Sequence, residues 1–295
     1  MDEPGGAEQI HPFINITHHL QNLGIDTPTI YAEDIEEGFL LLEDLGDDTF
    51  TNLLSTGSDE SMLYQKATDL LIDLHIHPQA TSIDLPEYDF AHFIQEARLL
   101  TDWYLPASTG NLLSAQAKQE YDQCWRQIFD SLPNLSPTLV LRDLHVDNLM
   151  LKQGHCAVLD YQDVLIGSPA YDLVSLLEDA RRDLPPSLVQ TMKARYLERM
   201  PTVDPEKLEH HLVVWGAQRH AKVAGIFVRL WLRDEKPVYL KHLKRVIGLI
   251  HRHLNHPCLE PFSNWLAKHI GPLEHRELSA AEGKIREQIL NTLGD

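Results

Sequence analysis

The sequence predicts an α+β protein, with a small strand-containing front portion and a large, mainly helical remainder that carries one embedded hairpin. Residues 29–44 read as two short strands around an acidic turn. After about Thr49 the apolar residues fall mostly at helical spacings of three and four, and NLMLKQGHCAVLD interrupts that pattern with two apolar runs on either side of Gln153-Gly154.

Taken in order, AEQIHPFINITHHLQNLG places Ile10, Phe13, Ile14 and Leu20 on one face and ends at Gly24, which predicts an amphipathic helix closed by a glycine cap. His18 and His19 are expected on its solvated side. TIYAED and GFLLLED follow as strands joined at residues 35–38, and a linker is expected near residues 45–48. SDESMLYQKATDLLIDLHIH opens with Ser or Asp and an early glutamate, as a capped helix should. FAHFIQEARLLTDWYL, SAQAKQEYDQCWRQIFDSL and most of the chain after Ala170 read as further helices. The polar pair Gln153-Gly154 suits a two-residue hairpin turn.

The chain of 295 residues carries a formal charge of -19, from 25 Lys and Arg against 44 Asp and Glu. That balance argues against a sequence-independent grip on nucleic acid or on an anionic membrane. Cys124, Cys156 and Cys258 are too few and too scattered for a disulfide framework. With neither a signal peptide nor a long apolar run visible, a cytoplasmic protein is expected.

The chemistry concentrates in LRDLHVDNLMLKQGHCAVLDYQD, residues 141–163. A tight hairpin returns its end to its start, so Asp160 should come close to Asn148. A carboxylate and an amide oxygen form a suitable hard-oxygen pair for Mg²⁺, which takes few protein ligands and fills its octahedron with water and phosphate oxygens. Asp143 is then left to accept the proton of an attacking hydroxyl.

DLHVDN followed by a hairpin ending in LD resembles the catalytic loop and metal aspartate of the protein-kinase-like fold, in the form used by aminoglycoside and other small-molecule kinases. The histidine usual at the first position is Leu141 here, and Asp160-Tyr161-Gln162 stands where protein kinases carry D-F-G. GSPAYDL is similar to the G-x-P-x-x-D-L step of small-molecule kinases, which implies that Asp172 braces the loop. LLLEDLG resembles the inter-lobe hinge, which implies that the backbone of Glu43, Asp44 and Leu45 seats the adenine of ATP. RDLHVDNLML, DYQDVLIGSPAYDLVSLL, AQRHAKVAGIFVRLWLRDEKPVYL and HPCLEPFSNWL further resemble the bacterial anomeric kinases of N-acetylmuramate and N-acetylglucosamine, over nearly the whole chain. That family implies ATP- and Mg²⁺-dependent phosphorylation of cell-wall amino sugars at C1 during peptidoglycan recycling. A kinase for aminoglycosides or choline-like amines is the alternative enzyme, and a kinase-like binding module without turnover is the alternative from another class.

The resemblance implies a two-lobed fold, with a truncated small N-lobe over residues 1–45, a hinge at 43–46 and a large helical C-lobe over 46–295. Within the C-lobe lie the catalytic loop 141–150 and the metal-aspartate hairpin 149–163. Met1 to Gly6 resembles the end of a strand that would bear a phosphate-pairing lysine, and no Lys or Arg precedes Lys66. The expectation is a chain that starts partway into the front lobe, with weakened nucleotide binding as the consequence.

Other residues carry weaker expectations. Arg142 is a candidate substrate contact; Asp147 and Asp163 read as loop acids, of which Asp163 could support the metal or the substrate. Glu96 and Trp103, seven apart on one helix, could offer a sugar an acid and an aromatic platform, although core packing suits Trp103 better. Arg219 and Lys222, three apart on a late helix, could receive a substrate carboxylate, although a solvated face explains them more simply. The 17 histidines include HIH and HRHLNH, whose spacing does not assemble a tetrahedral zinc set.

Overall fold

The computed structural model describes residues 7–273, 278 and 283–293, and the Met1–Gly6 segment lies outside them. The chain opens with α1 (Ala7–Asn22), β1 (Ile30–Asp34), β2 (Phe39–Leu42), α2 (Phe50–Ser55) and α3 (Glu60–Ile76). It continues through α4 (Phe90–Leu99), a π-helical turn over Leu100–Tyr104, α5 (Leu105–Thr109) and α6 (Ala115–Asp130). Four short strands follow: β3 (Thr138–Val140), β4 (Leu149–Lys152), β5 (His155–Val158) and β6 (Leu165–Gly167). Helices complete it: α7 (Ala170–Leu177), α8 (Pro186–Arg199), α9 (Pro205–Leu232), α10 (Leu243–Leu254), α11 (Glu260–His269) and α12 (Lys284–Leu293). None of the described helices is long and apolar enough to cross a membrane.

The chain divides into two compact units. One holds Met1–Glu87, Leu135–Asp179 and Leu184–Pro205; the other holds Tyr88–Asn134, Ala180–Asp183 and Glu206–Asp295. In the first unit α1 buries Ile10, Phe13, Ile14, Ile16 and Leu20, and the chain turns away at Gly24, as the glycine-cap pattern predicts. His18 is exposed, but His19 is half-buried and its Nε2 lies 2.9 Å from the Ala80 carbonyl, so only one of the two histidines faces water. β1 and β2 pair antiparallel from Asp34 and Phe39 outward, with Leu40 facing the core.

β4 and β5 form the expected hairpin, in register from Leu149↔Val158 to Lys152↔His155. Its turn residues both take left-handed angles, φ 50° at Gln153 and 86° at Gly154, which is what a two-residue turn matched to strand twist demands. The front segment is laced onto this hairpin: the Val158 N–H donates to the Asp26 carbonyl at 2.9 Å and the Leu151 N–H to the Asp48 carbonyl at 2.9 Å. A second antiparallel pair, β3 with β6, runs from Thr138↔Gly167 to Val140↔Leu165 and brackets the loop and hairpin. The expectation of a single embedded hairpin missed it, because three-residue strands are too short to show a period of two.

In the second unit Phe93, Trp125, Phe129, Trp215 and Phe262 build an aromatic core, with ring centroids 4.8 Å apart for Trp125–Phe262 and 5.1 Å for Phe93–Trp215. The expected solvated face of α9 is not there. Every residue from His211 to Gly225 is buried, including Arg219 at 3% and Lys222 at 8% exposure.

Candidate active site

The loop between β3 and β4 is held from behind. Asp172, fully buried in the first turn of α7, accepts the Leu141 N–H at 2.6 Å through Oδ2 and the Arg142 N–H at 2.9 Å through Oδ1. Two donors that strand pairing leaves unused are thus met by one carboxylate. Arg142 takes φ 69°, a left-handed angle that a side chain makes costly, so the brace also fixes a strained residue immediately before Asp143. The Arg142 Nη1 donates to the Asp163 carbonyl at 3.0 Å, tying the loop to the segment after β5.

Asp143 is half-buried, and its backbone is fully engaged: its N–H donates to Leu141 O at 2.9 Å, and its C=O accepts from the His145 N–H at 3.0 Å. The same C=O accepts the Asn148 Nδ2–H at 3.0 Å. Asn148 Nδ2 also lies 3.4 Å from Asp160 Oδ2, and Gln162 Nε2 donates to Asp160 Oδ1 at 2.8 Å. With its amino side turned to Asp143 and Asp160, Asn148 keeps its carbonyl oxygen as a hard-ligand face. Asp160 has φ 56° and is exposed. The next residue anchors it, since the Tyr161 ring stacks on Phe13 at 5.3 Å and its hydroxyl meets Thr17 Oγ1 at 2.8 Å on α1. Asn148 therefore joins the Asp143 main-chain carbonyl to the Asp160 carboxylate, and the side-chain oxygens of Asn148 and Asp160 suit a hard divalent cation.

Residues 43–46 show one feature the sequence did not signal. The Glu43 carboxylate accepts from Lys152 Nζ at 2.8 Å and from Thr29 Oγ1 at 2.7 Å. The Lys152 hydrogen bond, with Thr29 behind it, lowers the Glu43 pKa to about 2. Lys152 lies on β4, 109 residues from Glu43, and no local pattern announces the pair. The Glu43 N–H is already spent on the Thr29 carbonyl at 2.8 Å, while the Asp44 side chain accepts from the Gly46 N–H at 2.8 Å.

The remaining candidates divide. Asp163 is exposed and contributes its carbonyl to Arg142; Asp147 receives the Thr51 hydroxyl. Glu96, in the second unit, is half-buried and committed: it accepts from Lys222 Nζ at 2.8 Å, from Gln218 Nε2 at 3.2 Å and from the Tyr88 hydroxyl. Lys222 is thereby neutralised and does not form a receptor with Arg219. Trp103 lies in the π-helical turn at 4% exposure, as a core residue does.

Residues 1–210 match the phosphotransferase enzyme family. The chain belongs to that family. Among curated proteins, this phosphotransferase is 35% identical over 255 residues to the N-acetylmuramate/N-acetylglucosamine kinase of Pseudomonas aeruginosa, covering 83% of this chain and 73% of that one. The protein of the same name from Pseudomonas putida is 32% identical over 256 residues, covering 85% and 75%. Two solved structures share the fold. One is a choline/ethanolamine kinase family protein from Mesorhizobium loti, with TM-score 0.58, 13% identity and coverage of 88% of this chain and 82% of that one. The other is the ADP-bound aminoglycoside phosphotransferase APH(2'')-Ib, with TM-score 0.55, 15% identity and coverage of 84% and 83%. The phosphotransferase is a kinase-type enzyme with a protein-kinase-like α+β fold.

Proposed function

We propose that this phosphotransferase moves the γ-phosphoryl group of ATP to the anomeric C1 hydroxyl of N-acetylmuramate or N-acetylglucosamine. The observation that carries the proposal is the Asp143–Asn148–Asp160 group, linked at 3.0 and 3.4 Å and braced by Asp172. The names of the curated relatives support the choice of sugar. On this reading the Asp143 carboxylate accepts the sugar hydroxyl proton as the C1–O–P bond forms and the bond from Pγ to the ADP oxygen breaks. Asn148 Oδ1 and the Asp160 carboxylate would hold Mg²⁺. Bound there, the ion would neutralise charge on the phosphate oxygens.

The hinge reading is narrowed by its own hydrogen bonds. With the Glu43 N–H taken by Thr29, the adenine edge is assigned to the Glu43 carbonyl and the Leu45 N–H, and Asp44 shapes the turn between them. Residues 1–45 are assigned to the front lobe and 46–295 to the helical lobe. Arg142 and Asp163 hold the loop in place next to substrate. We place the reaction in the cytoplasm and assign no nucleic acid or membrane partner, in keeping with the charge of -19.

Coupled ADP-release measurements with Mg²⁺ and ATP test the proposal, using N-acetylmuramate, N-acetylglucosamine and kanamycin as acceptors. Turnover that depends on either amino sugar is expected. A preference for kanamycin would overturn the choice of acceptor, and ATP binding without turnover on any acceptor would favour a kinase-like binding module.

A further inference from the structure

Thr29 precedes β1 and Glu43 follows β2, and the register through Ile30↔Leu42 sets the two opposite each other as the next pair of the ladder. A hydrogen-bonded antiparallel pair ordinarily exchanges two main-chain N–H···O bonds. Here only one is made. The Glu43 N–H donates to the Thr29 carbonyl at 2.8 Å, but the Thr29 N–H goes at 3.1 Å to Glu43 Oε2 and not to the Glu43 carbonyl. The same carboxylate oxygen accepts the Thr29 hydroxyl at 2.7 Å and Lys152 Nζ at 2.8 Å. The side chain thus holds a donor that would otherwise close on the main-chain carbonyl, and leaves that carbonyl to a donor from outside the ladder. β4 fixes where the carbonyl stands. Lys152 at the end of the strand holds Glu43, the Leu151 N–H holds the Asp48 carbonyl at 2.9 Å, and Asn148 immediately precedes the strand. One short strand therefore sets the spacing between residues 43–48 and the Asn148 loop.

We infer that Lys152 and the Glu43 carboxylate are positioning residues for the nucleotide, which keep the Glu43 carbonyl open as the acceptor for the 6-amino group of a purine. The inference rests on the functional reading above, which seats adenine at residues 43–45, and deepens it by naming the side chains that make the base selection possible. Neither side chain touches the base. Without the carboxylate, the Thr29 N–H turns to the Glu43 carbonyl and competes with the base for it. Without Lys152, the carboxylate loses the cation that holds it over Thr29.

The test is calorimetric binding, with Mg²⁺ present, of ATP and of the ATP analogue that lacks the 6-amino group. The proteins compared are the unsubstituted chain, Lys152→Met, Lys152→Arg and Glu43→Ala, with a thermal melt to show that each is folded. One hydrogen bond supports a difference in affinity of about three- to tenfold. The unsubstituted chain is therefore expected to bind ATP about three- to tenfold more tightly than the analogue. Lys152→Met and Glu43→Ala should bring that ratio to about one, and Lys152→Arg should keep it. A merely structural role would weaken both nucleotides alike and leave the ratio where it was; an unchanged ratio in either folded variant, Lys152→Met or Glu43→Ala, would overturn the inference while the adenine seat stands. If the unsubstituted chain binds the two nucleotides equally, or binds neither, the adenine seat itself fails and the inference falls with it.

Discussion

Arg142 and Asp160 hold left-handed backbone angles, φ 69° and 56°, that side chains other than glycine's disfavour by about 1 kcal/mol or more each. Arg142 immediately precedes the proposed base Asp143, Asp160 is the proposed metal carboxylate, and both are pinned from outside the loop. Asp172 pins Arg142 through its backbone N–H, and Tyr161 pins Asp160 by docking on α1. Replacing Asp172 with alanine orphans the Leu141 and Arg142 N–H groups in a buried setting, so we expect a loss of about 2–3 kcal/mol in urea unfolding. A loss below about 1 kcal/mol, the worth of an ordinary exposed hydrogen bond, would show that the brace is dispensable. At this scale the sequence was most legible. Asp143, Asn148 and Asp160 sit on one short loop and one tight hairpin, so local geometry alone brings them together. Arg219 was not legible: a charged residue on a helix reads as solvated unless the burial of its neighbours is known, and the Glu96 that occupies Lys222 is 126 residues away.

Among the elements, those set by local pattern were readable and those set by contact were not. The α1 glycine cap and the Gln153-Gly154 turn follow from backbone angles that few residues adopt. FAHFIQEARLLTDWYL reads as one helix, and the structure interrupts it with the π-helical turn at Leu100–Tyr104. There the Leu105 N–H donates to the Leu100 carbonyl, five residues back. Gly225 on α9 lies against this junction, and a Cβ added there would sit 2.2 Å from the Leu99 carbonyl oxygen, a backbone atom that cannot swing away. Gly225→Ala should force α9 off α4 and cost about 1–3 kcal/mol, with a loss of near-ultraviolet signal from the surrounding tryptophans. Unchanged stability would mean that the helices can separate freely at that point.

For the whole molecule, stability is expected to fall in acid. Desolvation lowers the His75 pKa to about 3, and its Nδ1 lies 2.7 Å from the Tyr196 hydroxyl between α3 and α8. The folded state therefore keeps His75 neutral, while the unfolded chain protonates it near pH 6.5. The stability it contributes is present above that value and is lost as pH falls from about 6.5 towards 3. The Glu43–Lys152 pair adds a smaller loss, of about 1 kcal/mol or less for a partly exposed pair, as pH falls from 4.5 towards 2. Urea midpoints should accordingly fall between pH 7 and 5, and His75→Asn should flatten that slope; an unchanged slope would remove His75 from the account.

The most direct test is ADP release with Mg²⁺, ATP and N-acetylmuramate by the unsubstituted chain and by Asp143→Asn. Loss of the proton acceptor is expected to lower kcat by about 10²–10⁴-fold while ATP still binds. Equal turnover by the two proteins would contradict the assignment of Asp143, and with it the site built around Asn148 and Asp160.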